Sequence, residues 1–90
     1  MYQLHIRPRA ERDLDRLSEV ERSRLIETIK TLKENPHPLL SQKLMENIYG
    51  VRMGRYRIVY AIDDKRKIVD IGKVDRRKER TYQRLADLFK

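Results

Sequence analysis

The chain has 90 residues, no cysteine, and a net charge of +8 from 22 Lys and Arg against 14 Asp and Glu. That length supports one domain with a small core, spanning residues 1–90, and the lack of cysteine excludes disulfides and thiolate metal sites. No apolar run approaches the ~18 residues of a membrane span, and the first residues lack the charged-then-apolar order of a secretory leader. A soluble cytoplasmic protein with no membrane association is the expectation.

In chain order, residues 2–7 alternate as a short strand, with Tyr2, Leu4 and Ile6 as its apolar positions. Pro8 suits the first turn of a helix, where its missing N–H is no loss. Ala10, Leu14 and Leu17 recur at helical spacing and make that helix short. Ser18 and Glu21 have the spacing of a capping box, which predicts a second helix directly after the first. Its buried stripe is Leu25, Ile26, Ile29 and Leu32, and Asn35-Pro36 should end it. Two antiparallel helices joined at 17–20 follow. Residues 35–46, with Pro36 and Pro38, form the least regular stretch. Strands are predicted at about 48–53, 56–63 and 67–74, with Asp63, Asp64, Lys65 and Arg66 as the polar turn between the last two. A final amphipathic helix from about Lys78 would carry Tyr82, Leu85, Ala86 and Phe89 inward. The expected class is α+β in the order β-α-α-β-β-β-α: a small, mainly antiparallel twisted sheet with the helical hairpin on one face and a C-terminal helix.

Charge is distributed unevenly over these elements. Residues 1–51 hold nine basic and eight acidic side chains, whereas residues 52–90 hold thirteen and six. A basic half points to a polyanionic partner such as nucleic acid, a membrane surface or an acidic protein; a solvated, charge-rich surface is the plainer reading. Within that half, residues 49–60 alternate apolar and basic side chains on two segments joined at Gly54-Arg55. On a strand, Arg52 points away from Val51 and Met53, and Arg57 points away from Tyr56, Ile58 and Tyr60. A hairpin of this kind buries one face and places guanidinium groups on the other, where a fixed fork suits phosphate.

The run Val51-Arg52-Met53-Gly54-Arg55-Tyr56-Arg57-Ile58-Val59-Tyr60, the Asp63-Asp64 turn, and Lys73-Val74-Asp75-Arg76-Arg77 leading to Arg80-Thr81-Tyr82 resemble the RelE/ParE superfamily of toxins from toxin–antitoxin systems. An early Pro8-Arg9-Ala10-Glu11-Arg12-Asp13-Leu14 run and a helix ending in Glu34-Asn35-Pro36 extend the resemblance over nearly the whole chain. The resemblance to RelE-type members implies a ribosome-dependent endoribonuclease that cuts mRNA, with the ribose 2′-OH attacking the adjacent phosphorus. Such a reaction needs a base, cations for the charge developing on phosphate, and a proton source for the leaving oxygen. In the family these roles fall to Lys, Arg and Tyr, and no cofactor or metal is implied.

Carried over residue by residue, Arg57 matches the strand arginine that grips the scissile phosphate. Arg52 stands where RelE-type enzymes often have a catalytic lysine. A guanidinium with a pKa above ~12 is no general base, so Arg52 is expected to stabilise charge or hold backbone. A second lysine of the pattern falls at Gly50, which leaves the base unassigned, with Lys73 able to supply it if it faces the same side. Arg76, Arg77 and Arg80 cluster at the end of the last strand, and one of the three is expected to donate to the transition-state phosphate. Tyr82 matches a tyrosine that stacks on a base or transfers a proton; its spacing with Leu85 and Phe89 equally suits a core position. The expected catalytic set is Arg52, Arg57, Arg77 and Tyr82, and the expected RNA-binding set is Arg55, Lys73, Arg76 and Arg80. Tyr56 and Tyr60 read as core, and His5 and His37 as bystanders.

The resemblance also implies partners: a small acidic antitoxin of the RelB kind in a hetero-oligomer, and the ribosome with its mRNA. Two other readings stay open. A ParE-like toxin would inhibit DNA gyrase and cleave nothing, and a non-catalytic RNA-binding domain would show the charge without the chemistry, although no RNP, KH or dsRBD signature is present.

Overall fold

The computed structural model describes residues 1–76 and 85–89. Its elements are β1 (Gln3–Ile6), α1 (Pro8–Asp15), α2 (Glu19–Thr31), β2 (Ser41–Met45), β3 (Ile48–Met53), β4 (Tyr56–Asp63), β5 (Ile68–Arg76) and a 3-10 turn at Leu85–Phe89. Pro8 opens α1, with Ala10 and Leu14 buried one turn apart. The Ser18 hydroxyl accepts the Glu21 N–H at 3.3 Å and so caps α2, which satisfies one of the free amides at that end. Leu25, Ile29 and Leu32 are its buried stripe. Beyond the helix the Asn35 side chain accepts the His37 N–H at 3.1 Å, a local turn that competes with further helix.

Five strands form one sheet in the order β1-β5-β4-β3-β2. β1 runs parallel to β5, and every other neighbouring pair is antiparallel. Both helices pack on one face. There Ala10, Leu14, Leu25, Ile29 and Leu32 meet Val51, Tyr56, Ile58, Tyr60, Ile62, Val69, Ile71 and Val74. Tyr56 and Tyr60 are therefore core residues, as their alternation predicts. The buried Tyr60 hydroxyl donates to the Pro36 carbonyl at 2.7 Å, which anchors the loop after α2 to the sheet.

Two stretches differ from the sequence expectation. Residues 35–46 are not irregular throughout, because Ser41–Met45 is an edge strand paired with β3. That strand has no β-branched or aromatic residue, so its pairing comes from β3 rather than from intrinsic preference. The turn out of it places Asn47 at φ 65°, a conformation asparagine tolerates better than most residues. The predicted final helix falls mostly on 77–84, outside the described residues, and its last part, Leu85–Phe89, is a 3-10 turn.

That turn lies on the sheet face opposite the helices. Leu85, Ile48 and Val59 form a second small core there, with Leu44, Ala61, Leu88 and Phe89 packed around it. Gly72 makes the arrangement possible, because a Cβ at that position would stand 2.6 and 2.8 Å from two Phe89 ring carbons.

Gly72→Ala should unseat Phe89 and lower stability by about 1–3 kcal/mol, the usual cost of overpacking. In chemical denaturation, the double variant with Phe89→Ala should cost less than the two single changes added together. Tyr60 gives a second expectation. Burial pushes its phenol from 10.0 up to about 12. A raised acid contributes stability that is fully present below the unfolded value and is lost as pH rises through the folded one. Tyr60→Phe should cost about 1–2 kcal/mol at neutral pH, where the Pro36 carbonyl loses its donor. The gap between the two proteins should then narrow in thermal melts as pH rises from about 10 through about 12.

Candidate functional site

The face opposite the helices takes alternate residues of β3 and β4: Ile48, Gly50 and Arg52 from one, Arg57, Val59 and Ala61 from the other. Arg52 and Arg57 are register partners, so their side chains stand side by side across the pair. β5 reaches this face through an irregularity. Val59 pairs with Lys73 but Tyr60 pairs with Ile71, which leaves Gly72 as an extra residue. Such a bulge reverses the alternation of everything after it. Val69 and Ile71 point to the helices, and after the bulge Val74 does so as well. Lys73 and Asp75 are thereby turned to the Arg57 face, with Asp75 directly across from Arg57.

The result is a dry cluster of charge. Arg57, Lys73 and Asp75 are only 5%, 7% and 8% exposed. The Lys73 ammonium lies 2.8 Å from Asp75 Oδ2. That approach is an ion-pair contact without hydrogen-bond alignment, since neither Asp75 oxygen has a hydrogen-bond partner among the described residues. Arg57 lies over the β3 backbone at Gly50, where a Cβ would come within 3.2 Å of its Cδ and 3.3 Å of the Leu44 Cδ1. Glycine at the position where the resemblance places a lysine thus gives room to Arg57. On the far side, α1 holds β5 after the bulge: Asp13 Oδ2 accepts the Val74 N–H at 3.0 Å.

Of the residues expected at the site, Arg52, Arg57 and Lys73 share this face, with Arg52 exposed at its rim. Arg55 does not join them. It sits on the β3–β4 turn and donates to Glu21 Oε2 through Nε at 3.2 Å and Nη2 at 2.9 Å, with its guanidinium 5.6 Å from the Tyr56 ring centre. Those hydrogen bonds hold the Glu21 carboxyl below its ordinary range, and they link the turn to the start of α2. Arg76 is exposed and pairs in register with Tyr56, which puts it on the parity of the helix-packed face, away from Arg57. Arg77, Arg80 and Tyr82 lie outside the described residues. His37 meets the Tyr49 ring edge-on at 4.9 Å, and His5 Nδ1 is 3.4 Å from Asp70 Oδ1. Asp75 is the residue that sequence reasoning missed. Its signal was a single acid inside the basic run of residues 73–78, two positions from Lys73.

A groove of about 740 Å³ opens elsewhere, between the β4–β5 turn, β1 and Phe89. Several of its charges are engaged with one another: Arg7 Nε donates to Asp70 at 2.9 Å, and Arg66 lies 3.9 Å from Asp63. It contains none of the Arg57 cluster.

A helical hairpin on one side of a five-stranded sheet and buried cations on the other define a small basic α+β domain. The family model described as ParE toxin of type II toxin-antitoxin system, parDE, matches residues 4–81. Toxin RelE of Mycobacterium tuberculosis is 38% identical over an alignment of 81 positions that covers 84% of this chain and 81% of that protein. Among solved structures, a chain of the M. tuberculosis RelBE2 toxin–antitoxin complex is 29% identical, with a TM-score of 0.75 over 84% of this chain and 98% of that one. A mutant of E. coli toxin RelE in the free state shares the fold at a TM-score of 0.81 and 20% identity, covering 99% of this chain and 98% of that one. The chain belongs to the ParE toxin family of type II toxin–antitoxin systems, and it is a toxin component similar to RelE.

Because Arg55 is committed to Glu21, Arg55→Ala should lower the melting temperature slightly, and less in 1 M NaCl than at low salt, where the exposed pair is unscreened. Its affinity for single-stranded RNA should stay close to that of the unmodified protein in fluorescence anisotropy, whereas Arg57→Ala should weaken binding.

Proposed function

We propose that this toxin is a metal-independent endoribonuclease that cuts mRNA on the ribosome. The carrying observation is the pair of nearly buried cations, Arg57 and Lys73, on the sheet face opposite the helices, with exposed Arg52 beside them. In a dry site, cations stabilise phosphate charge far more strongly than they do in water. Attack by the 2′-OH forms the bond from O2′ to phosphorus and breaks the bond to O5′. The 2′-OH gives up a proton and the 5′-oxygen takes one. Arg57 and Arg52 hold the phosphate oxygens, and Lys73 lies on the same face within reach of the charge that develops. Arg77 and Tyr82 complete the catalytic set that the family resemblance implies, with Arg80 as a further expected RNA contact, whereas Arg76 stands on the other side of the sheet. Gly50 and Arg52, in place of lysines, make this site more dependent on charge stabilisation than on a strong base.

The proposed partners follow from the same face. RelE proteins of M. tuberculosis, Pyrococcus horikoshii and E. coli have each been solved in a toxin–antitoxin complex. A cognate antitoxin, small and acidic, would neutralise a surface of net charge +8 by covering the arginine cluster or the C-terminal segment. A complex that left Arg52, Arg57 and Arg77 open and still cleaved message would contradict that mode of inhibition. No described helix is long and apolar enough to cross a membrane, and a target on the ribosome places the toxin in the cytoplasm.

The matching family model carries the ParE name, which favours a second reading as a non-cleaving gyrase inhibitor. One experiment separates the two. Purified toxin is added to programmed ribosomes with mRNA ends mapped, and in parallel to a gyrase supercoiling assay. Cleavage that falls by about a hundredfold in Arg57→Ala is the expected result, the scale of losing one charge-stabilising donor. Intact mRNA with blocked supercoiling would establish the gyrase reading instead.

A further inference from the structure

Asp75 is the feature of the cluster that a phosphate-binding role does not explain. A site built only to attract phosphate gains nothing from a carboxylate among its cations, because like charge opposes the ligand. Nor does the carboxylate have the usual supports of a buried acid. Both oxygens are buried and neither has a hydrogen-bond partner among the described residues, whereas buried polar groups are almost always satisfied. What holds it is charge: Lys73 Nζ at 2.8 Å, with Arg57 across the strand pair. A buried ion pair that lacks further hydrogen bonds adds little net stability. A carboxylate is also a close stand-in for phosphate, presenting two anionic oxygens to the same donors.

We propose that Asp75 is a built-in competitor for the phosphate seat at Lys73 and Arg57. The inference rests on the reading above that this face binds RNA phosphate. With Asp75 in the seat, Lys73 is neutralised and the site's affinity for any phosphate is reduced. The reduction is the fraction of molecules in which the seat is vacant, so it applies by the same factor to every ligand of that seat. Small phosphates, held by nothing else, bind too weakly to occupy it. A strand of RNA, held as well by Arg52 and the other basic side chains, still displaces the carboxylate. Discrimination between strands and free anions thus comes from the strand's extra contacts, and the carboxylate lowers both affinities until free anions no longer fill the seat.

The test uses the full chain and its Asp75→Asn variant, which keeps the side-chain shape and removes the charge. Two probes are titrated, inorganic pyrophosphate by calorimetry and a labelled RNA pentamer by anisotropy over a salt series. The expected result is a gain of about tenfold for both probes, the scale of one charge-assisted hydrogen bond. The RNA salt dependence should keep nearly the same log–log slope, because the strand fills the same seat and contacts the same number of phosphates in both proteins. A variant that folds, by circular dichroism, yet binds pyrophosphate no more tightly than the unmodified chain would overturn the proposal. Should Asp75→Asn not fold, Asp75→Ser is measured in the same way with the same criterion. A variant that gains pyrophosphate affinity while neither protein binds RNA would leave the seat standing and remove the endoribonuclease reading.

Discussion

One extra residue in β5 governs the rest of the structure. Gly72 is unmatched between the Lys73–Val59 and Ile71–Tyr60 pairs, and a strand that gains a residue exchanges its two faces from that point on. Without the bulge, Lys73 and Asp75 would be driven into the helix-packed core and Val74 would be left on the other face. With it, an apolar residue completes the core and two charged ones stand beside Arg57. The same glycine leaves room for the Phe89 ring, so a single backbone feature serves both the chemistry and the seating of the C-terminal turn. The bulge is also braced: Arg7 N–H donates to the Ile71 carbonyl at 3.0 Å before it, and Asp13 takes the Val74 N–H after it.

The two faces of the sheet meet opposite electrical demands. The helix side is closed with aliphatic and tyrosine side chains, and its one deep polar group, the Tyr60 hydroxyl, is satisfied by Pro36. The other side is only partly apolar. Ile48, Val59 and Leu85 lower the local dielectric next to Arg57, Lys73 and Asp75, and charges so placed interact more strongly than the same groups in water. The exposed ion pairs elsewhere, such as Arg22 with Asp15 at 3.8 Å or Lys43 with Glu46 at 3.5 Å, have no such amplification and contribute little. Most of the chain's excess positive charge therefore lies in the solvent, where it acts through long-range attraction, and only a small part of it is held in a dry, fixed geometry.

Much of this was legible in the residues. Periodicity alone located α1, α2 and the three long strands, the Ser18 cap marked the second helix, and alternation across residues 49–60 assigned Tyr56 and Tyr60 to the core with Arg57 on the other face. Three things were not legible, for separate reasons. β2 has weak strand preference of its own and exists because β3 offers it an edge. The fate of Arg55 depended on Glu21, a partner far away in sequence that only the tertiary fold brings near. The facing of Lys73, Asp75 and Arg76 depended on a bulge, and a single glycine inside an alternating run does not reveal whether the register slips there. Arg52 shows the reverse case: its face was readable from alternation, while its chemistry departs from the relatives it resembles.

The parallel pairing of β1 with β5 sets the order in which the molecule can be completed. Gln3 through Ile6 lie beside Ile68 through Ile71, so the first strand waits for the last, and nearly the whole chain must be ordered to close that loop. Contacts of such long range form late and slowly. Lys73 and Asp75 sit just beyond that pairing, on the final strand. During synthesis from the N-terminus, the helical hairpin and the β3–β4 hairpin can form while the charged cluster is still missing a wall. The charged face is thus closed only once β5 has been made, a temporal order written into strand topology.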